Sequence, residues 1–187
     1  MNEVKCNKEV QLKKADFLKT NNYLELEKLI EPNKLEAYLE KENVVLVEGS
    51  KESGKTKVLM QLVKLALNNK KHMVFISVGS KTIKAELIVR FKDNDIDVSN
   101  QNLITLYISD KQYEFVIELI KNTPKGHIII IDDFSNLEIE HLKQLEKLKE
   151  LAKEYELTVW CSANFEESNN ESITYSEYID YSLIIGD

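Results

Sequence analysis

The sequence predicts an α/β domain with an open, mainly parallel sheet and helices on both faces, preceded by a helical lead-in. Three observations lead there. Short runs rich in Val, Ile and Leu alternate with longer amphipathic stretches, as strands and crossover helices do. A glycine-bracketed loop ending in Gly-Lys-Thr follows the first run directly and opens onto a helical pattern. Finally, 187 residues, 43% hydrophobic and 30% charged with five glycines and two prolines, can form one sizeable core. That composition excludes disordered, collagen-like and low-complexity chains.

The elements follow in order. Residues 1–43 read as a polar helical lead-in, with apolar positions at Val10, Phe17, Leu18, Leu24, Leu29, Ile30, Leu35, Tyr38 and Leu39 and a break at Pro32 and Asn33. Residues 44–187 read as the main domain. Its predicted strands are Val44 to Glu48, Met73 to Val78, Leu103 to Ile108, His127 to Asp132, Leu157 to Ser162 and Tyr181 to Ile185. Helical patterns lie between them at Lys55 to Asn69, Thr82 to Lys92, Lys111 to Asn122 and Ile139 to Tyr155. The stripe Leu142, Leu145, Leu148 and Leu151 is the face of the last helix expected to pack on the sheet. Glu166 to Ser172 reads as a loop. In such a sheet, ligands bind beyond the carboxyl ends of the strands.

Charge and cysteine content narrow the classes further. The formal net charge is −7, from 25 basic and 32 acidic side chains. No apolar run approaches the ~20 residues of a membrane-spanning helix. No secretory signal is visible, and Cys6 and Cys161 give neither a disulfide framework nor metal-ligand spacing. A cytoplasmic location with no membrane partner is the expectation. Trp160 and Cys161 are expected to pack rather than react. Arg90 is the only arginine, against 24 lysines, so any role that needs a guanidinium falls to it, to a lysine or to a partner.

Gly49-Ser50-Lys51-Glu52-Ser53-Gly54-Lys55-Thr56 matches G-x-x-x-x-G-K-[ST] between a strand and a helix. Glycines let backbone N–H groups wrap a phosphate chain, and the helix N-terminus adds partial positive charge. In this pattern Lys55 reaches the β- and γ-phosphates and the Thr56 hydroxyl ligates Mg²⁺. The expected ligands are ATP and Mg²⁺. His127 to Asp133, HIIIIDD, supplies four β-formers ending in two carboxylates. Asp132 is the expected holder of Mg²⁺ and its water, while Asp133 is either a surface carboxylate or a general base that orients the attacking water. Ser162 and Asn164, at a strand end, are candidates for sensing the γ-phosphate, although small polar residues there are also ordinary turn residues.

Order and spacing resemble the RecA-like core of replicative DnaB-type helicases, specifically their C-terminal ATPase domain. The matching stretches are SKESGKT, VFISVGS, LITLYISD, IIIIDDFSNL, LKELAKEYELTVWCSAN and YSEYIDYSLII, covering residues 43 to 186. The resemblance implies a RecA-like P-loop NTPase, nucleotide at subunit interfaces and a role in DNA replication or in plasmid, phage or other mobile-element maintenance. It also implies a homo-oligomer or a partner ATPase or helicase.

Departures bear on activity. Gly79 stands where the family carries a water-polarising glutamate, and Ala163 where it carries a glutamine. The family's arginine-bearing hairpin falls beyond Asp187, and Arg90 lies in a helix that is mostly structural in the family. An arginine finger is worth about 10³ to 10⁵ in rate, so slow or partner-dependent hydrolysis is expected. The loops SNLEIE and FEESNNES hold five glutamates and no lysine, which argues against the usual grip on a single strand. Lysines gather at Lys8, Lys13, Lys14 and Lys19 and around Lys64, Lys70, Lys71 and His72, where an ordinary solvated face is the simpler reading. Three functions follow: a weak ATPase, a nucleotide-gated loader, regulator or scaffold, and a small-molecule or nucleotide kinase. The kinase is least favoured, since kinase lids usually carry several arginines.

Overall fold

Strands buried on both faces need near-continuous β-branched and apolar residues, and the segments Val44–Gly49, Met73–Val78 and Ile128–Asp132 are buried along their whole length. In the computed structural model, which describes residues 43–50, 52–79, 83–109, 111–137, 141–164 and 179–185, the elements are these. β1 (Val44–Gly49) leads to α1 (Lys55–Asn68), β2 (Met73–Val78), α2 (Ile83–Asp93), β3 (Leu103–Ile108) and α3 (Tyr113–Asn122). Then come β4 (Ile128–Asp132), a 3₁₀ turn (Phe134–Asn136), α4 (His141–Glu154), β5 (Thr158–Asn164) and β6 (Tyr181–Ile185). Residues 1–42 of the lead-in, Lys51 and the loop Glu166 to Ser172 fall outside the described residues, as do most of the two glutamate-bearing loops.

The strands form one sheet in the order β3-β2-β4-β5-β1-β6, every pair parallel. Alternation along each strand divides the core between two faces. Val45, Val47, Met73, Phe75, Ile128, Ile130 and Trp160 pack with Val58, Leu59, Leu62 and Val63 of α1 and Leu87 and Phe91 of α2. Leu46, Val74, Ile76, Ile129, Ile131 and Cys161 pack with Val116, Ile117 and Ile120 of α3 and Leu145, Leu148 and Leu151 of α4. Leu145, Leu148 and Leu151 of the leucine stripe thus cover the sheet, each contributing about 1.5–3 kcal/mol. Trp160 and Cys161 are likewise core residues.

Three helices end in the same way. Lys71 N–H donates to Ala66 O and Lys70 N–H to Leu67 O, with Lys70 at φ 56°. Ile96 and Asp95 close α2 on Phe91 O and Lys92 O, and Leu157 and Glu156 close α4 on Ala152 O and Lys153 O. These are paired 6→1 and 5→2 closures with Lys70, Asp95 and Glu156 in the left-handed position that glycine usually fills.

Strand order positions the site. β5 lies between β1, which carries the loop, and β4, which carries the aspartates. Ser77 pairs in register with Asp132 on one side and with Tyr107 on the other. Ile131 pairs with Cys161, which brings Ser162 beside Asp132. A polar row of Tyr107, Ser77, Asp132 and Ser162 therefore crosses four strands at their carboxyl ends.

Candidate functional site

The loop after β1 must turn sharply upward into α1, and its backbone shows how. Gly54 is the N-cap residue at φ 97°, ψ 12°, a left-handed conformation that costs other residues energy. Having no side chain, Gly54 cannot cap the first-turn N–H groups, which leaves that helix end suited to an anion. Glu52 is also left-handed, at φ 70°. The Ser53 hydroxyl is buried without a hydrogen-bond partner among the described residues, pointing to a polar ligand in the loop.

Lys55 is 5% exposed and folds back over the loop. Its Nζ donates to Gly49 O at 3.1 Å and to Ser50 O at 2.6 Å, leaving one of three donors for an anion. Burial holds its pKa below the ordinary lysine range, while the charges of Asp133 and Asp132 oppose that shift. The next residue ties the loop to the sheet: Thr56 Oγ1 donates to Asp132 Oδ1 at 3.1 Å.

Asp132 is 1% exposed. Ser162 Oγ donates to the same Oδ1 at 2.8 Å, and that hydroxyl in turn accepts from Asp133 N–H at 2.8 Å. One serine thus holds both aspartates. Ser162 is fully buried, so its hydroxyl serves the frame rather than an open surface. Burial, with help from the Asp133 charge, pushes Asp132 up to about 6 against hydrogen bonds from Ser162 and Thr56 and the charge of Arg90. Asp133 is also raised by burial, opposed by Lys55 and Arg90. Its backbone sits at φ 58°, ψ 41°, an uncommon conformation for a residue with a side chain, and the 3₁₀ turn begins there.

A cleft of about 840 Å³ opens above these groups, a size ordinary for a small-molecule site. Glu52, Gly54, Lys55, Thr56, Asp133 and Asn164 line it, so six of the sequence candidates share its wall. Asn164 also anchors the far edge, its N–H donating to Ser135 Oγ at 3.1 Å. Gly49 lies under Lys55, and Ser50 accepts from Ser53 N–H at 3.2 Å. Lys51 lies outside the described residues.

Sequence reasoning passed over two features. Arg90, set aside as structural, lines this cleft with Asp93 and Asn94 of the same helix side. Their i, i+3, i+4 spacing was the available signal. Asn136 also lines the cleft, its Nδ2 donating to Val78 O at 3.5 Å.

Comparison with known proteins agrees with this frame. No curated protein sequence matches the chain. Among solved structures, the flagellar accessory protein FlaH from Methanocaldococcus jannaschii is similar in fold. It superposes with a TM-score of 0.58 at 15% identity, covering 83% of this chain and 77% of that one. A family model for an ATPase domain predominantly from Archaea matches residues 27–165. With that match spanning most of the sequence, the chain belongs to this predominantly archaeal ATPase-domain family.

Proposed function

We propose that the protein binds ATP with Mg²⁺ and hydrolyses it slowly, in a manner dependent on a partner. The observation that carries the reading is the Thr56–Asp132 hydrogen bond beneath Lys55, which joins loop and sheet where a nucleotide's terminal phosphates would lie. Mg²⁺ characteristically keeps phosphate and water as most of its ligands, and a hydroxyl beside a buried carboxylate fits the small share left to protein. Thr56 and Asp132 would hold the ion, which when bound would neutralise charge on the phosphates.

The chain's own groups divide the remaining work. Loop N–H groups and Lys55 hold the phosphates of the substrate. Asp133, raised by burial and facing the cleft, orients a water and takes its proton. That water bonds to the γ-phosphorus as the bond to the β-phosphate oxygen breaks, releasing ADP and phosphate. Ser162 fixes the positions of both aspartates, and Asn164 faces the cleft from β5.

For the wider role, the net charge of −7 and the glutamates of the loops after β4 and β5 favour a nucleotide-gated partner protein over a motor on DNA. The alternative, DNA replication as in the helicases it resembles, requires single-stranded DNA to speed turnover. Self-assembly around nucleotide, with residues 1–43 as a docking arm, also follows from that resemblance. Sedimentation showing a monomer with and without ATP removes it.

Thermal unfolding with nucleotide tests the core of the reading. ATP and Mg²⁺ at about 100 times Kd should stabilise the protein by roughly 2.7 kcal/mol. Lys55→Ala should lose that shift, and an unsubstituted protein that shows none refutes the proposal.

A further inference from the structure

We propose that Arg90 grips the terminal phosphate of the bound nucleotide from within the same chain, as a second cation lining the cleft with Lys55. The inference rests on the ATPase reading and adds a catalytic residue to it. α2 buries Leu87 and Phe91 against the sheet, fixing the helix's orientation. Arg90, Asp93 and Asn94 are thereby brought onto the cleft that Gly54, Lys55, Thr56 and Asp133 also line. The helix end is itself fixed, since Ile96 N–H closes on Phe91 O at 2.9 Å and Asn94 Nδ2 donates to Arg90 O at 2.8 Å.

The guanidinium is near the reacting centre in the electrostatic sense. Its charge acts on both Asp132 and Asp133, and on Tyr107 at the end of the polar row. It is also loosely held. Its ion pair is with Glu86 one turn back at 3.8 Å, with the two side chains 47% and 63% exposed. A pair that long and that exposed competes poorly with a phosphate. A planar guanidinium suits two phosphate oxygens at once, which a lysine ammonium does not. The simpler account, a cation complementing the carbonyl end of α2, explains Lys92 equally but does not explain the cleft-facing placement of Arg90.

The test measures ATP and ADP affinity and single-turnover hydrolysis for the full chain, Arg90→Ala, Arg90→Lys and Lys55→Ala. Contact with the terminal phosphate predicts that Arg90→Ala weakens ATP about tenfold or more while ADP changes less than about twofold. Single-turnover hydrolysis, slow in the parent without its partner, should fall to background, since an arginine acting on a transferring phosphate is worth about 10³ or more. Arg90→Lys should recover affinity for ATP but little of the rate. Unfolding curves of the two Arg90 variants should match the parent, as the side chain is half exposed. An unchanged ATP-to-ADP affinity ratio and rate in Arg90→Ala, with parental binding intact, overturns this assignment alone. A parent protein that binds neither nucleotide overturns the ATPase reading and this assignment together.

Discussion

Asp132 shows how one residue can be costly to the fold and still be required by the site. In metal-free protein its carboxyl titrates near 6 when folded, against an ordinary value of 3.8. The folded state then binds more protons than the unfolded state between those values, so stability falls as pH rises from about 4 to 6 and stays lower above. The difference is on the order of 3 kcal/mol. Urea unfolding across that range, with chelator present, should show the fall, and Asp132→Asn should lessen it, leaving the share that the likewise raised Asp133 contributes. Ser162 acts in the opposite direction, and Ser162→Ala leaves a buried carboxylate and an N–H each short of a partner. That change should cost about 1–3 kcal/mol in denaturant unfolding and lower turnover more than nucleotide affinity. The aspartates themselves were legible in HIIIIDD, because a run of β-formers ending in acid is a local pattern. The serine's double hydrogen bond was not, since it depends on which strand lies next to which.

Elements were readable wherever apolar periodicity fixes them. All six strands and four main-domain helices lie where the pattern put them, with ends shifted by a residue or two. The ends were harder to read because this chain places Lys70, Asp95 and Glu156, not glycine, in the left-handed closing position of three helices. A residue with a Cβ pays about 1–2 kcal/mol there. Lys70→Gly should therefore stabilise the protein by up to about 1 kcal/mol, and Lys70→Val should destabilise it, both read as shifts in thermal midpoint. In the core, Leu148→Ala should cost about 2–5 kcal/mol, because α4 packs that side chain fully against the sheet. Nucleotide affinity measured well below the new midpoint should change little, since α4 lies across the sheet from α1.

At the scale of the whole molecule, the insertion of β5 between loop strand and aspartate strand decides what meets at the cleft. No local sequence pattern reports strand order, which is why the row Tyr107, Ser77, Asp132 and Ser162 had to be seen rather than read. The same holds for Arg90, whose helix is legible in the sequence and whose place on the cleft is not. Among the described residues no helix is long and apolar enough to cross a membrane. If the nucleotide-gated reading holds, adding single-stranded DNA at physiological salt should leave turnover unchanged within about twofold. A many-fold rise would restore the motor reading.

The Ser162 hydroxyl has a mechanical corollary. Through it and Thr56, the loop helix, the aspartate strand and the strand between them are pinned at a single carboxylate oxygen, Asp132 Oδ1, and the Asp133 backbone hangs from the same serine. Three elements hinged on one point lose the freedom to adjust separately. Any partner that nudges the end of β5 therefore moves the metal-side carboxylate and the water-side carboxylate in concert, and the site switches as one piece.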